Sequence, residues 1–174
     1  YSYVGVIGVT NQGEYDWREV EAAGAAIVAL CDVDEGRAGK AREHFSRAKF
    51  YTDFRKMLEQ KDLDAVVVAT PDHTHAVATA AALKAGLHVY CEKPLTHTVH
   101  EARVIAELAR KHKRVTQMGT QIHAGNNYRR VVELIQTGAI GPVKEVHVWV
   151  GGTRSGGERP KDTPPMPSGL HWDL

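Results

Sequence analysis

The chain has 174 residues, with 22 Lys plus Arg against 21 Asp plus Glu and a net charge of +1. That balance argues against a nucleic-acid binder, which needs a basic face, and no apolar run approaches the ~20 residues of a membrane span. The length suits one ordinary domain and part of another.

Tyr3 to Ile7 reads as a buried strand that begins almost at once, so no export signal is read there unless a leader has been removed. A helix is predicted over 14–23, a strand over 26–30, a helix over 35–45 and a short helix over 53–60. Ala65-Val-Val-Val-Ala69 is the strongest strand signal, because a continuous apolar run belongs to a parallel sheet covered on both faces. An Ala-rich helix over 73–85 ends at Gly86. A strand over 87–90, a helix over 98–111 and a strand over 115–118 continue the alternation. Thr98 and Glu101 form a capping-box pattern, and Lys111 to Arg114 suits the negative end of that helix. Strand–helix alternation through 118 predicts an α/β fold with right-handed crossovers and a doubly wound parallel sheet.

The pattern then changes. An amphipathic helix is predicted over 127–136, and 143–150 alternates as a strand with Val146, Val148 and Val150 on one side. Gly151 to Gly169 is rich in Gly and Pro and reads as a loop, and His171 to Leu174 form no element. The division expected is a domain over 1–122 and the first helix, strand and loop of a truncated second α/β domain over 123–174. Cys31 and Cys91 supply neither a disulfide framework nor metal spacing. As buried thiols at strand ends they suit a reducing compartment, the cytoplasm.

Four segments fall at the carboxyl ends of strands, the edge where open α/β sheets bind ligands. Gly8-Val-Thr-Asn-Gln-Gly13 keeps the first and third glycines of a dinucleotide fingerprint, with Thr10 in place of the second. Gly13 and its neighbours then lie at a positive helix end suited to phosphate. Asp32 follows the second strand, 24 residues after Gly8, where an acidic residue accepts hydrogen bonds from the adenosine ribose. Its charge would repel a 2′-phosphate and so predicts NAD over NADP, although Arg37 could reach such a phosphate. Thr70 to His75 has two readings: a His-x-His metal pair formed by His73 and His75, or a cofactor-lining loop in which Thr70 and His75 stand near the nicotinamide. Cys91-Glu92-Lys93-Pro94 places a Glu-Lys pair at a strand end, where Lys93 can touch cofactor and substrate together. The competing reading of Lys93 is a surface lysine paired with Glu92.

Gly8-x-x-x-x-Gly13, Cys31-Asp-Val-Asp34, Ala69-Thr-Pro-Asp-His-Thr-His75, Glu92-Lys93-Pro94 and Met118-Gly-Thr-Gln121 stand in the order and spacing of one family. Over essentially its whole length the chain resembles the glucose-fructose oxidoreductase / inositol dehydrogenase / MocA (Gfo/Idh/MocA) family. The resemblance implies an N-terminal Rossmann domain and NAD or less readily NADP as cofactor; no metal is expected, because metal-hydrolase barrels do not begin with a glycine-rich turn followed by a carboxylate such as Asp32. It implies hydride transfer at a secondary hydroxyl of a small-molecule sugar or cyclitol, with homo-oligomers formed through a second domain. By position, Gly8, Thr10, Asn11, Gln12 and Gly13 resemble the pyrophosphate loop and Asp32 the ribose ligand. Thr70, Pro71 and His75 resemble the nicotinamide wall, and Glu92 and Lys93 the catalytic motif. Gln121 resembles a residue at the mouth of the site, with Tyr128 and Arg129 beyond it. The family's general-base element, an Asp followed four residues later by a His, has no counterpart here and is expected beyond residue 174. The same fold also carries NAD-dependent glycoside hydrolases and non-catalytic dinucleotide sensors, so these stand as alternatives.

Overall fold

The computed structural model describes residues 2–152, 161–171 and 173. It divides into two units, residues 1–119 with 166–174, and residues 120–165. In the first unit six strands form one parallel sheet: β1 (Tyr3–Ile7), β2 (Ala26–Cys31), β3 (Lys49–Tyr51), β4 (Ala65–Val68), β5 (His88–Glu92) and β6 (Thr116–Gly119). Their order is β3-β2-β1-β4-β5-β6, so the direction of winding reverses between β1 and β4. This is the doubly wound arrangement expected from the alternation. The connecting helices are α1 (Gln12–Ala22), α2 (Gly39–His44), α3 (Phe54–Met57), α4 (His75–Lys84) and α5 (Val99–His112), with a single 3₁₀ turn at Asp72–Thr74.

The period of two along each strand divides the core between the sheet's faces. Ile7, Ala29, Cys31, Val66 and Val68 pack with Met57 of α3, with Ala78, Ala82 and Leu83 of α4 and with Ile105 of α5. Val6, Leu30 and Val67, one residue out of step, pack with Trp17 of α1 and Ala41 of α2. Strands covered on both sides need apolar residues at every position, which is why β4 reads as an unbroken valine run. Both thiols are free and buried. Burial, with Asp32 and Asp53 nearby, pushes Cys31 up to about 12.

Several boundaries differ from those expected. α1 begins at Gln12 rather than 14. The helix expected from 35 begins only at Gly39, because Asp34 Oδ1 accepts the Arg37 N–H and holds 34–38 in turns. Lys49–Tyr51 was not expected as a strand; three residues carry no legible period, and pairing with β2 makes the element. The capping box is present, with Thr98 Oγ1 accepting the Glu101 N–H and Glu101 Oε2 accepting the Thr98 N–H. The segment 169–171, expected to form no element, bridges the loop after β2: Asp34 pairs antiparallel with Leu170, and the His171 N–H donates to Val33 O at 2.9 Å.

The second unit holds α6 (Asn126–Gln136), with no buried residue. Residues 143–150, expected as a strand, have no regular secondary structure. Alternation alone does not make a strand; a ladder partner does, and among the described residues none pairs with this segment. Residues 153–160 of the expected loop, with Trp172 and Leu174, lie outside the described residues. Among those described, no helix is long and apolar enough to cross a membrane.

Trp17 is fully buried, meets Phe45 edge-on at 5.1 Å and donates from Nε1 to Val9 O at 3.1 Å. Trp17→Ala is expected to cost about 3–5 kcal/mol, read from the urea midpoint of unfolding.

Candidate functional site

One rung of the sheet sets the site. Cys31, Ile7, Val68, Cys91 and Met118 are successive partners across β2, β1, β4, β5 and β6. The next residue on each strand therefore stands at a common edge: Asp32, Gly8, Ala69, Glu92 and Gly119. Thr70 and Lys93 follow directly. The fold thus gathers five separated sequence segments at one side.

The glycine turn between β1 and α1 is tied at three points. The Gly8 N–H donates to Cys31 O at 2.8 Å and the Val9 N–H to Asp32 Oδ2 at 3.0 Å, while Val9 O accepts from Trp17. Gly8 has φ +83°, and a Cβ there would lie 2.6 Å from Ala69 O; a Cβ on Gly13 would strike Gly8 O. Both glycines are thus demanded by the turn itself. The Thr10 carbonyl accepts the Gly13 N–H. No side chain caps α1, and its positive end suits an anion.

Asp32 does structural work as well. Oδ2 accepts from Val9 and Oδ1 from the Asp34 N–H at 3.0 Å. A carboxylate offers about four acceptor sites, so half-buried Asp32 keeps capacity for two ribose hydroxyls. These residues fit a dinucleotide. Arg37 is exposed, and its backbone N–H donates to Asp34.

His75 is placed differently from the expected nicotinamide wall. It is 1% exposed, with Nδ1 2.6 Å from Pro94 O and Nε2 2.7 Å from Thr70 O. Two carbonyls can only accept, so both ring nitrogens must donate and the ring is an imidazolium. Burial alone would lower its pKa, but the Cys91 side chain and the two carbonyls outweigh that and raise it to about 9. This also excludes the metal-pair reading, since neither ring nitrogen is free to ligate and His73 is exposed on the preceding turn. His75 instead clamps the Thr70-Pro71 loop to the turn that carries Lys93. The Thr74 hydroxyl, 2.8 Å from both Thr70 Oγ1 and Pro71 O, braces the same loop.

Glu92 and Lys93 part company at the end of β5. Glu92 is buried and accepts from the Tyr90 hydroxyl at 3.2 Å, while Lys93 is exposed. Among the described residues Lys93 forms no ion pair, so the reading of a lysine paired with Glu92 is corrected. The Lys93–Pro94 peptide is cis. Asp16 of α1, buried beside Glu92, was not foreseen. Its only sequence signal is its spacing four residues after Gln12, whose Nε2 donates to Asp16 Oδ1 at 3.0 Å. Gln121 is exposed in the second unit, as are Tyr128 and Arg129 of α6.

Asp32 and Lys93 stand at the ends of β2 and β5, three strand spacings or about 14 Å apart. No single phosphate or ribose reaches both. A ligand that uses the whole edge must be extended, with phosphate at the centre by the glycine turn.

The His75 clamp predicts a pH dependence. With a native pKa raised from 6.5 to about 9, its stabilisation is complete below the unfolded value and lost as pH rises through about 9. The wild-type thermal midpoint should fall across that window, and His75→Gln should flatten the fall.

Comparison with known proteins agrees with this geometry. The family model for Gfo/Idh/MocA proteins, described as an oxidoreductase family with an NAD-binding Rossmann fold, matches residues 3–120. The chain is 31% identical over 147 residues to inositol 2-dehydrogenase of Salmonella typhimurium, covering 82% of this chain and 44% of the other. It is 35% identical over 148 residues to inositol 2-dehydrogenase 1 of Saccharopolyspora erythraea, covering 83% and 44%. The chain thus spans under half the length of the curated relatives it matches. Among solved structures, myo-inositol 2-dehydrogenase from Lactobacillus plantarum superimposes with a TM-score of 0.75 at 27% identity, over 80% of this chain and 42% of that one. With its glycine turn, its strand-end carboxylate and its Glu92-Lys93-Pro94 turn all at one sheet edge, the chain belongs to the Gfo/Idh/MocA oxidoreductase family and carries its NAD-binding Rossmann fold.

Proposed function

We propose that this chain forms the cofactor half of a dehydrogenase that moves a hydride between NAD and a secondary hydroxyl of a cyclitol or sugar. The observation that carries the reading is the exposed Lys93, without an ion-pair partner among the described residues, on the same sheet edge as the glycine turn and Asp32. The inositol dehydrogenases among its relatives favour a cyclitol. Thr10, Asn11, Gln12 and the uncapped start of α1 would hold the pyrophosphate, with Asp32 on the adenosine ribose. Thr70 and Pro71 would flank the nicotinamide, held there by buried His75.

When bound, NAD supplies the hydride acceptor. Lys93 donates a hydrogen bond to the reacting hydroxyl and stabilises the negative charge that develops on its oxygen. Glu92, turned inward, holds the strand end from which Lys93 projects. A proton acceptor on the substrate side completes the reaction. Buried free thiols support a cytoplasmic setting, and the exposed Val146, Val148 and Val150 offer an apolar stretch that a second copy in a homo-oligomer would cover.

A fluorescence titration of residues 1–174 tests the cofactor assignment. NADH is expected to bind at least about tenfold more tightly than NADPH, ~1.4 kcal/mol, because Asp32 opposes a 2′-phosphate; the reverse order would overturn it. In a protein of the relatives' full length that carries this domain, Lys93→Ala is expected to lower kcat by roughly 10²–10³. Unchanged turnover would remove Lys93 from the mechanism.

A further inference from the structure

Beneath the Lys93 turn, two acidic side chains are buried against each other. Asp16 on α1 and Glu92 at the end of β5 are each 4% exposed. One oxygen of each is satisfied, Asp16 Oδ1 by Gln12 and Glu92 Oε1 by Tyr90. The other, Asp16 Oδ2 and Glu92 Oε2, is buried without a hydrogen-bond partner. Glu92 acts on Asp16 both through its charge and through a side-chain hydrogen bond. Two ionised carboxylates there would repel, and each would keep an orphaned acceptor in a site closed to water. A single proton between them removes both penalties.

We propose that Asp16 and Glu92 share one proton, and that the resulting acid–carboxylate hydrogen bond fixes the Lys93 turn to the phosphate-facing turn of α1. Asp16 is then a positioning residue for the site. The surroundings of the two carboxyls support this. Burial, and then the Glu92 carboxylate, push Asp16 from 3.8 to about 6 against the opposing Gln12 hydrogen bond. Burial and the same two carboxylates push Tyr90 up to about 12, so its hydroxyl stays a neutral donor to Glu92. Among the described residues no Lys, Arg or His forms an ion pair with either carboxyl; Tyr90 on β5 faces both charges and donates its hydroxyl to Glu92, and Tyr15 on α1 lies near Tyr90. β6 contributes Gly119, where a Cβ would strike Glu92 Oε1, so the pair is enclosed from that strand too.

A carboxyl whose native pKa is raised contributes stability that is complete below its unfolded value and lost as pH rises through the native one. The tie therefore holds in mild acid and loosens through about pH 6. The shared proton stands independently of the cofactor; its consequence for cofactor affinity rests on the NAD reading above. In the 174-residue chain with ¹³C-labelled carboxyls, NMR should show one Asp signal titrating near pH 6 with a Glu signal that moves in step. Both responses should vanish in Asp16→Asn. An Asp16 that titrates near 3.8 without involving Glu92 would overturn the proposal. Asp16→Asn supplies a permanent neutral donor. Its thermal midpoint should exceed wild type by about 3 °C at about pH 7.5, and the gain should shrink through about pH 5 and disappear only below the unfolded value of 3.8. A loss of stability at the higher pH would overturn the shared proton. NADH should bind wild type severalfold more weakly at about pH 7.5 than at about pH 5.5, with Asp16→Asn flat between them. A flat wild-type profile overturns the positioning role. Failure of NADH to bind at any pH, with the carboxyl titration as expected, sinks the cofactor reading and leaves the proton in place.

Discussion

Strand β1 has a hydrogen-bonded neighbour on each side, β2 and β4, and the ligand edge depends on that central place. The reversal of winding beside it leaves the crevice that receives ligands in doubly wound sheets. The register then fixes what borders the crevice. Ile7 pairs with Cys31 on one side and Val68 on the other, so Gly8, Asp32 and Ala69 are level to within a residue. A slip of one residue would turn every side chain of β1 to the opposite face. It would put Ile7 where Val6 now meets Trp17, and would carry the Val9–Asp32 bond away. Core packing and ligand geometry are thus enforced by the same ladder.

The residues that do this are mostly bifunctional. Asp32 holds the glycine turn with two backbone bonds before any ribose arrives. His75 joins the loops after β4 and β5, on one side of the crevice, with both ring nitrogens donating to carbonyls. Such groups organise the edge in advance, so a ligand meets donors and acceptors already aimed.

Much of this was legible in the chain. Gly8, Gly13 and Asp32 announced themselves through spacing, since a tight turn and a strand-end carboxylate need those residue types at those offsets. β4 and the Thr98–Glu101 cap were legible because their determinants are local. What was hidden depends on neighbours far along the chain. β3 exists through pairing with β2. The buried imidazolium of His75 depends on the Pro94 carbonyl, 19 residues on. Asp16 looked like one more acidic residue on a charged helix, because a helix does not disclose which residue turns toward a strand end. The alternation of 143–150 misled for the converse reason: a period of two states which faces a strand would have, not whether a partner exists.

The bridge between Asp34 and Leu170 has a topological consequence. The first unit is discontinuous: the chain leaves it after Gly119 and rejoins it at Met166. Closing such an excursion depends only logarithmically on its length, so doubling it would cost about 0.6 kcal/mol. For closure of the first unit, a change of length between residues 120 and 165 therefore carries little entropic cost. The nucleotide-facing edge can keep its geometry while the intervening segment is rebuilt, which is the freedom a common cofactor module needs if different substrate partners are to be attached to it.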